Sequence, residues 1–349
     1  MSGPSLSVIE QRTRRALIIA CVVSSALPTR AAVAQGATPA RASASASVSP
    51  SGATAAARRA TWPVIRRDAT LERELRALAA RVRGDVGIYV RHLRTGRGVA
   101  IRADEAYPTA SMIKVPIMIG IHDAVERGRL SYADTLVWRD SMRYQYEDDV
   151  FNHLRDSTRL ALPIIQMMSI THSDNAASLW LQSLVGGAAI NDWLASHGFD
   201  STRVNSRTPG REAARSRYGW GQTTPREMAE LLVRIRQGRA VSPAADAVMY
   251  RTLTRIFWHG EALSAIPPWV QAASKQGWVD RAKSEVVLVN APSGDYVFCV
   301  TTKNQQDPRF NDKANEGAQL IRDVSAVLWR RFEPRHPWTP PAGSDRFVP

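Results

Sequence analysis

Thr109-Ala110-Ser111-Met112-Ile113-Lys114-Val115-Pro116 opens an apolar run that continues to Ile121. The run predicts a helix, and in a helix Ser111 and Lys114 stand one turn apart on the same face. A crowded or buried Lys sheds its proton near neutral pH, and a neutral amine can take the proton of a neighbouring hydroxyl. Read alone, the pair also fits an ordinary helix N-terminus with a solvated Lys. The surrounding chain decides between the two.

Upstream, Leu71, Leu75, Leu78 and Val82 recur at helical spacing, and folded structure is expected from about Asp68. Val86 to Leu93 and Gly98 to Arg102 read as strands joined by a turn at Thr95-Gly96. Downstream, from about Ser131 to Ile256, the pattern is mostly helical. Leu162 to Met168 is one apolar helix, ending at Thr171-His172-Ser173-Asp174-Asn175. Further helices are predicted from about Ala176 to Leu184 and from about Ala188 to His197. The polar stretch Ser201 to Gln222 is longer than loops usually are in compact domains, which suggests a substrate-lining role. Thr224 as N-cap, Pro225 at the first helical position and Glu227 two residues further on start the next helix. After Ala272 the period becomes that of strands: Ala273 to Trp278, Glu285 to Asn290 and Tyr296 to Thr302. Asn311 to Phe332 reads as a closing helix. Strands at both ends and helices between them predict an α+β fold. Its antiparallel sheet is formed from both termini, with an all-helical subdomain inserted.

The ends of the chain carry different signals. Arg12, Arg14 and Arg15 precede an apolar stretch, Ala16 to Leu27, that is too short to span a bilayer comfortably. Ala32-Val33-Ala34 offers a cleavage site, so residues 1–34 read as a signal peptide. The protein is expected to be exported, to the periplasm or the medium, with no stable membrane insertion. Residues 35–67 read as a linker, made mostly of Ala, Ser, Thr, Gly and Pro as far as Ala60. Residues 68–332 form the folded domain, and the Pro-rich tail 333–349 is expected to be loose. The formal charge is +14; residues 1–34 hold four Arg and one Glu, which leaves +11 on the remainder. The basic residues are scattered, so they read as a solvated surface rather than a nucleic-acid footprint. Cys21 lies in the signal peptide, so Cys299 would be a lone thiol and no disulfide is expected. No CxxC or HExxH occurs, so neither a metal nor a cofactor is expected. A Ser-His-Asp hydrolase is disfavoured, because no G-x-S-x-G occurs and the seven His lack an evident partner Ser. The protein is expected to act as a monomer on a small molecule.

Three short patterns fall in order: Ser111-x-x-Lys114, Ser173-Asp174-Asn175 and Lys275-Gln276-Gly277. Ser173 lies 62 residues after Ser111, and Lys275 lies 164 after it. Arg203 stands near the start of the long loop, Thr223-Thr224-Pro225 follows it, and a strand–turn–strand follows Lys275. Together these resemble the penicillin-recognising serine hydrolases, most closely the class A β-lactamases. The resemblance covers roughly Leu71 to Arg331. It implies that Ser111 attacks a carbonyl carbon and is acylated, with Lys114 taking its proton. Ser173 would pass a proton to the departing nitrogen. Asn175 would bond the substrate's side-chain amide, and Lys275 would attract the carboxylate of a penicillin or of a D-Ala-D-Ala peptide. The oxyanion would sit between the backbone N–H groups of Ser111 and Trp278. The Ser111 hydroxyl is expected between the two amines.

The pattern also departs from the family. Class A enzymes carry a Glu in the long loop that activates water to clear the acyl-enzyme, and that position falls on Thr208, which cannot act as a base at neutral pH. Glu212, four residues on, could substitute only if the loop re-registers. Gln276 replaces the Thr or Ser that binds the substrate carboxylate, and Trp278 replaces a small residue. Acylation stays intact on paper, and deacylation is put in doubt. Three readings follow. The protein is a β-lactam-opening serine hydrolase, or a slow penicillin-binding protein or D-Ala-D-Ala peptidase. Alternatively it is a non-catalytic sensor of β-lactams or cell wall.

Overall fold

The computed structural model of the chain describes residues 62–145, 149–310 and 312–349. The signal-peptide and cleavage-site readings, Cys21 and most of the linker lie outside the described residues. A six-stranded sheet runs in the spatial order Arg66–Arg67, Arg97–Ile101, Asp85–His92, Tyr296–Lys303, Ala282–Val289, Ala272–Val279. Strands from opposite ends of the chain therefore meet at its centre. Asp85–His92 pairs antiparallel with Tyr296–Lys303, from Tyr296 opposite His92 to Lys303 opposite Asp85. All these pairings are antiparallel except at the edge, where Arg66–Arg67 runs parallel to Arg97 and Gly98. The sheet is thus mixed by one two-residue strand.

The central strands are buried on both faces, so their alternate residues feed two cores. Ile88, Val90, Val287, Phe298 and Val300 pack with Leu71 and Leu75 of the helix Ala69–Ala79 and with Leu320, Ile321 and Val324 of the helix Glu316–Phe332. Tyr89, Val286, Leu288, Val297 and Cys299 pack on the other side, against the inserted helices. Cys299 is a buried free thiol. Burial pushes its pKa up, so it stays an inert SH group.

The inserted part is built around the helix Lys114–Glu126, whose residues from Lys114 to His122 are all buried. A helix apolar on every side belongs in a core. Around it lie Leu162–Thr171, Asn175–Val185, Gly187–Ser196 and Pro243–Leu253, while Pro225–Arg236 packs on the sheet. Gly120 lets the Gly187–Ser196 helix close in: a Cβ there would lie 2.7 Å from Ile190 Cγ1.

Several boundaries differ from those read off the sequence. Ordered structure starts before Asp68, since Trp62 packs on Phe199 with centroids 5.3 Å apart. The closing helix begins at Glu316, capped by the Asn315 side chain, rather than at Asn311. The long loop holds a helix, Glu212–Tyr218, and two short strands, Arg203–Val204 and Gly221–Thr223. The tail makes defined contacts: Glu333 is buried and accepts from the Ser293 N–H at 2.7 Å, and Trp338 meets Trp269 edge-on at 5.0 Å. Among the described residues no helix is long and apolar enough to cross a membrane.

Candidate active site

Ser111 does not open the α-helix directly. It lies in one 3₁₀ turn, Ala110–Ile113, and the α-helix starts at Lys114. Ala110 precedes Ser111 with φ +43°, and Ser173 has φ +63°. Non-glycine residues in this region are uncommon and cost about 1–3 kcal/mol each, and such strain clusters at functional sites. Here it marks the turns carrying both serines.

The Lys275 strand lies directly behind the Ser111 turn. A Cβ on Gly277 would sit 2.4 Å from the Thr109 carbonyl oxygen, 2.9 Å from Ser111 N and 3.0 Å from Met112 N. Only glycine permits this backbone contact, which brings the chain before Trp278 against the Ser111 turn. Ser111, Ser173, Asn175, Gln276, Gly277 and Trp278 line one cleft.

Lys114 is fully buried and has three acceptors: the Ser173 carbonyl oxygen, Ser173 Oγ at 3.1 Å and Asn175 Oδ1 at 2.8 Å. Lys275, also fully buried, donates to Ser173 Oγ at 3.1 Å, the Gln276 carbonyl at 3.0 Å and Gln276 Oε1 at 2.9 Å. The hydroxyl bridging the two amines is therefore that of Ser173, which corrects the expectation that Ser111 would stand there. Burial pushes Lys114 down to about 7, opposed by Asp149 and Asp174. Burial, then the Lys114 charge, holds Lys275 well below the ordinary Lys range. Two ammonium groups sharing one hydroxyl in a dry site disfavour each other, so a neutral amine is available near neutral pH.

Asn175 is the first residue of its helix, and Asp174 caps it by accepting from Ala177 N at 2.7 Å. With Asn175 Oδ1 taken by Lys114, its amide N–H₂ remains for a ligand. Gln276 has turned its carbonyl toward Lys275 and acts as a neutral acceptor there. Trp278 packs edge-on to Trp258 at 5.6 Å, and Trp258 Nε1 donates to the His172 carbonyl at 2.7 Å. Trp220 also lines the cleft, its ring centroid 5.8 Å from Lys114 Nζ, and Tyr144 meets it edge-on at 5.3 Å. The cleft is therefore walled by aromatic rings.

The long-loop residues are held elsewhere. Thr208 is buried; its hydroxyl donates to the Ser206 carbonyl at 3.0 Å and would touch any Cβ on Gly187. Glu212 is exposed and accepts from Gly210 N at 3.1 Å. Neither is among the residues that line the cleft with Ser111. Arg203 donates to the Phe199 and Thr202 carbonyls and braces the start of the loop. Sequence reading missed Asp149, which lines the cleft and accepts from the Asn175 N–H at 2.8 Å. Its neighbours Glu147 and Asp148 make an acidic run that reads as a solvated loop. Among the described residues no group of three or more His, Cys, Asp or Glu side chains is arranged to hold a metal.

Comparison with known proteins agrees with this architecture. The family described as the Beta-lactamase enzyme family matches residues 70–332. A β-lactamase of Rhodobacter capsulatus is 26% identical over 278 residues, covering 77% of this chain and 90% of its own. Among solved structures, PBP-A is 25% identical with a TM-score of 0.69, covering 78% of this chain and 100% of its own. A mutant of PBP-A has been solved as an acyl-enzyme complex with penicillin G. A β-lactamase from Sphaerobacter thermophilus is 26% identical with a TM-score of 0.67, covering 76% of this chain and 98% of its own.

Proposed function

Because the chain belongs to the Beta-lactamase enzyme family, we propose that it is an exported serine hydrolase that opens β-lactam amide bonds through an acyl-enzyme on Ser111. The observation that carries this reading is the Ser173 hydroxyl held 3.1 Å from the amines of both Lys114 and Lys275, beside the Ser111 turn. Neutral Lys114 takes the Ser111 proton as Oγ attacks the lactam carbonyl. The proton passes through the Ser173 hydroxyl to the departing nitrogen, and the C–N bond breaks. The N–H groups of Ser111 and Trp278 receive the oxyanion, Lys275 holds the substrate carboxylate, and the Asn175 amide donates to the substrate's side-chain amide.

A second reading is favoured by one observation: Thr208 and Glu212 both lie off the cleft lining. It keeps the acylation step and makes the protein a slow penicillin-binding protein or D-Ala-D-Ala peptidase. A chromogenic cephalosporin distinguishes the two. Many turnovers per protein support the hydrolase. One turnover with a persistent adduct in the intact mass, lost in Ser111→Ala, supports the slow acyl-enzyme. No adduct of any lifetime refutes both and leaves a non-catalytic sensor.

A further inference from the structure

Lys275 stands where a substrate anion would be held, but its hydrogen bonds are already taken. An ammonium has three N–H groups and accepts nothing. Those of Lys275 have Ser173 Oγ at 3.1 Å, the Gln276 carbonyl oxygen at 3.0 Å and Gln276 Oε1 at 2.9 Å as acceptors. The side chain is also fully buried, at 0% exposure. Lys275 therefore offers a ligand neither a spare N–H nor an open surface. Two of its three acceptors come from one residue, which folds both its backbone and its side chain onto the amine. Because Lys275 can only donate, the amide oxygen of Gln276 is the end that faces it, and the N–H₂ end is turned away. Among the described residues that nitrogen has no acceptor, and it is not sealed in the interior. Gln276 is 3% exposed and lines the cleft. Its place beside the reacting groups is fixed by short contacts. Ser173 Oγ lies 3.1 Å from Lys275 and from Lys114 alike, and Gly277, next along the strand, abuts the Ser111 turn. Lys283, another buried amine on the cleft lining, is engaged elsewhere: it donates to the Phe310 carbonyl and lies 4.8 and 4.3 Å from the Trp278 and Phe310 ring centroids.

We propose that Gln276 is a specificity-determining residue whose side-chain oxygen occupies the place of a substrate carboxylate on Lys275, so that the site takes acyl compounds bearing a neutral ester or amide there about as readily as carboxylates. The proposal deepens the Ser111 acyl-enzyme reading and rests on it. A carboxylate reaches Lys275 only after the Gln276 side chain swings away and gives up its bond to a charged donor. A neutral carbonyl needs no such displacement, because it can accept from the Gln276 N–H₂ where that group stands. A Ser or Thr at this position would carry a hydroxyl, which can donate to a carboxylate lying beside Lys275; the Gln276 oxygen only accepts, and repels one. Hydrogen bonds to charged groups are the stronger kind, so the displacement should weaken carboxylate capture about 10- to 100-fold.

The test compares benzylpenicillin with its methyl ester, which lacks the negative charge. Rate constants are read from adduct appearance by intact mass and from loss of the β-lactam absorbance. The wild-type protein should prefer the acid by less than about tenfold. Gln276→Ala frees one N–H of Lys275 and should raise the acid-to-ester ratio about tenfold or more. The ratio is the readout, because a structural loss lowers both rates alike. If the alanine variant does not fold, Gln276→Met decides, since it keeps the length of the side chain and removes the carbonyl. A larger wild-type preference for the acid overturns the proposal, as does a smaller rise of the ratio in the folded variant. If neither compound reacts with the wild-type protein, the Ser111 reading itself fails and this proposal falls with it. Reaction with both in the wrong ratio overturns the Gln276 proposal alone.

Discussion

Replacing Gly277 with Ala tests how the two halves of the site are brought together. The new methyl would lie 2.4 Å from the Thr109 carbonyl oxygen and about 3 Å from the nitrogens of Ser111 and Met112. The closest carbon–oxygen contacts between strands are roughly 3.3 Å, so strand and turn must part by about 1 Å. All three obstructing atoms are backbone, and no side chain can swing aside to relieve them. The displaced groups are those proposed to bind the oxyanion, the N–H of Ser111 on the turn and that of Trp278 on the strand. A misplacement of about 1 Å costs on the order of 10²-fold in rate, and loss of one oxyanion donor costs about 10²–10³-fold. Gly277→Ala should therefore slow acylation at least ~100-fold. The Ser173 bridge to Lys114 is built by side chains outside this contact, so the loss should exceed any change in folding. Stopped-flow acylation with a chromogenic cephalosporin, at a temperature where both proteins are folded, measures it. Acylation within threefold of wild type would refute the reasoning, because strand and turn would then not touch as described.

Lys114→Ala should slow adduct formation about 10²–10⁴-fold, the usual range for a general base, and intact mass after a fixed exposure to benzylpenicillin checks it. The sign of the pH dependence follows from the same group. Burial holds Lys114 at about 7, the base form is the neutral amine, and acylation should therefore rise as pH passes upward through 7. A rate that falls over pH 6–8 would contradict this. Glu285, fully buried, accepts from Ser274 Oγ at 2.5 Å and from Ala262 N at 2.9 Å, and burial pushes it up to about 8. The folded state holds its proton and the unfolded chain releases it near 4.3, so stability from this group is full below about 4.3 and is lost as pH rises through 8. Glu285→Gln removes the charge and can keep both contacts, its oxygen taking the Ala262 N–H and its amide donating to Ser274 Oγ, so its melting temperature should gain on wild type between pH 5 and pH 8. A difference that does not change with pH would exclude the buried ionisation.

What could be read from sequence, and what could not, divides along a physical line. Burial leaves a periodic trace, because a strand or helix repeats its contact with the core every two or every three to four residues. Five of the six strands of the sheet and its two covering helices were therefore legible, with boundary shifts of a few residues, and so were the inserted helices; the edge strand Arg66–Arg67 and the short strands of the insertion, such as Thr135–Val137 and Arg159–Ala161, were not, which corrects the all-helical reading. Order and spacing brought Ser111, Ser173 and Asn175 to one cleft, with Lys114 and Lys275 buried behind it on the Ser173 hydroxyl. Which hydroxyl bridges the amines has no periodic trace. Ser173 makes that bridge from a turn with positive φ, a tertiary outcome that no local pattern demands. Asp149 was illegible for a related reason. Its acidic surroundings look solvated, yet the helix Asn175–Val185 starts in a dry site with N–H groups that need acceptors. Asp174 supplies one side chain to that end and Asp149 supplies the next, taking the Asn175 N–H. A hydrogen-bond requirement at a buried helix start thus draws a carboxylate out of a charged loop and into the cleft. Composition and spacing report where apolar surface goes, and they are silent about which polar group answers such a requirement.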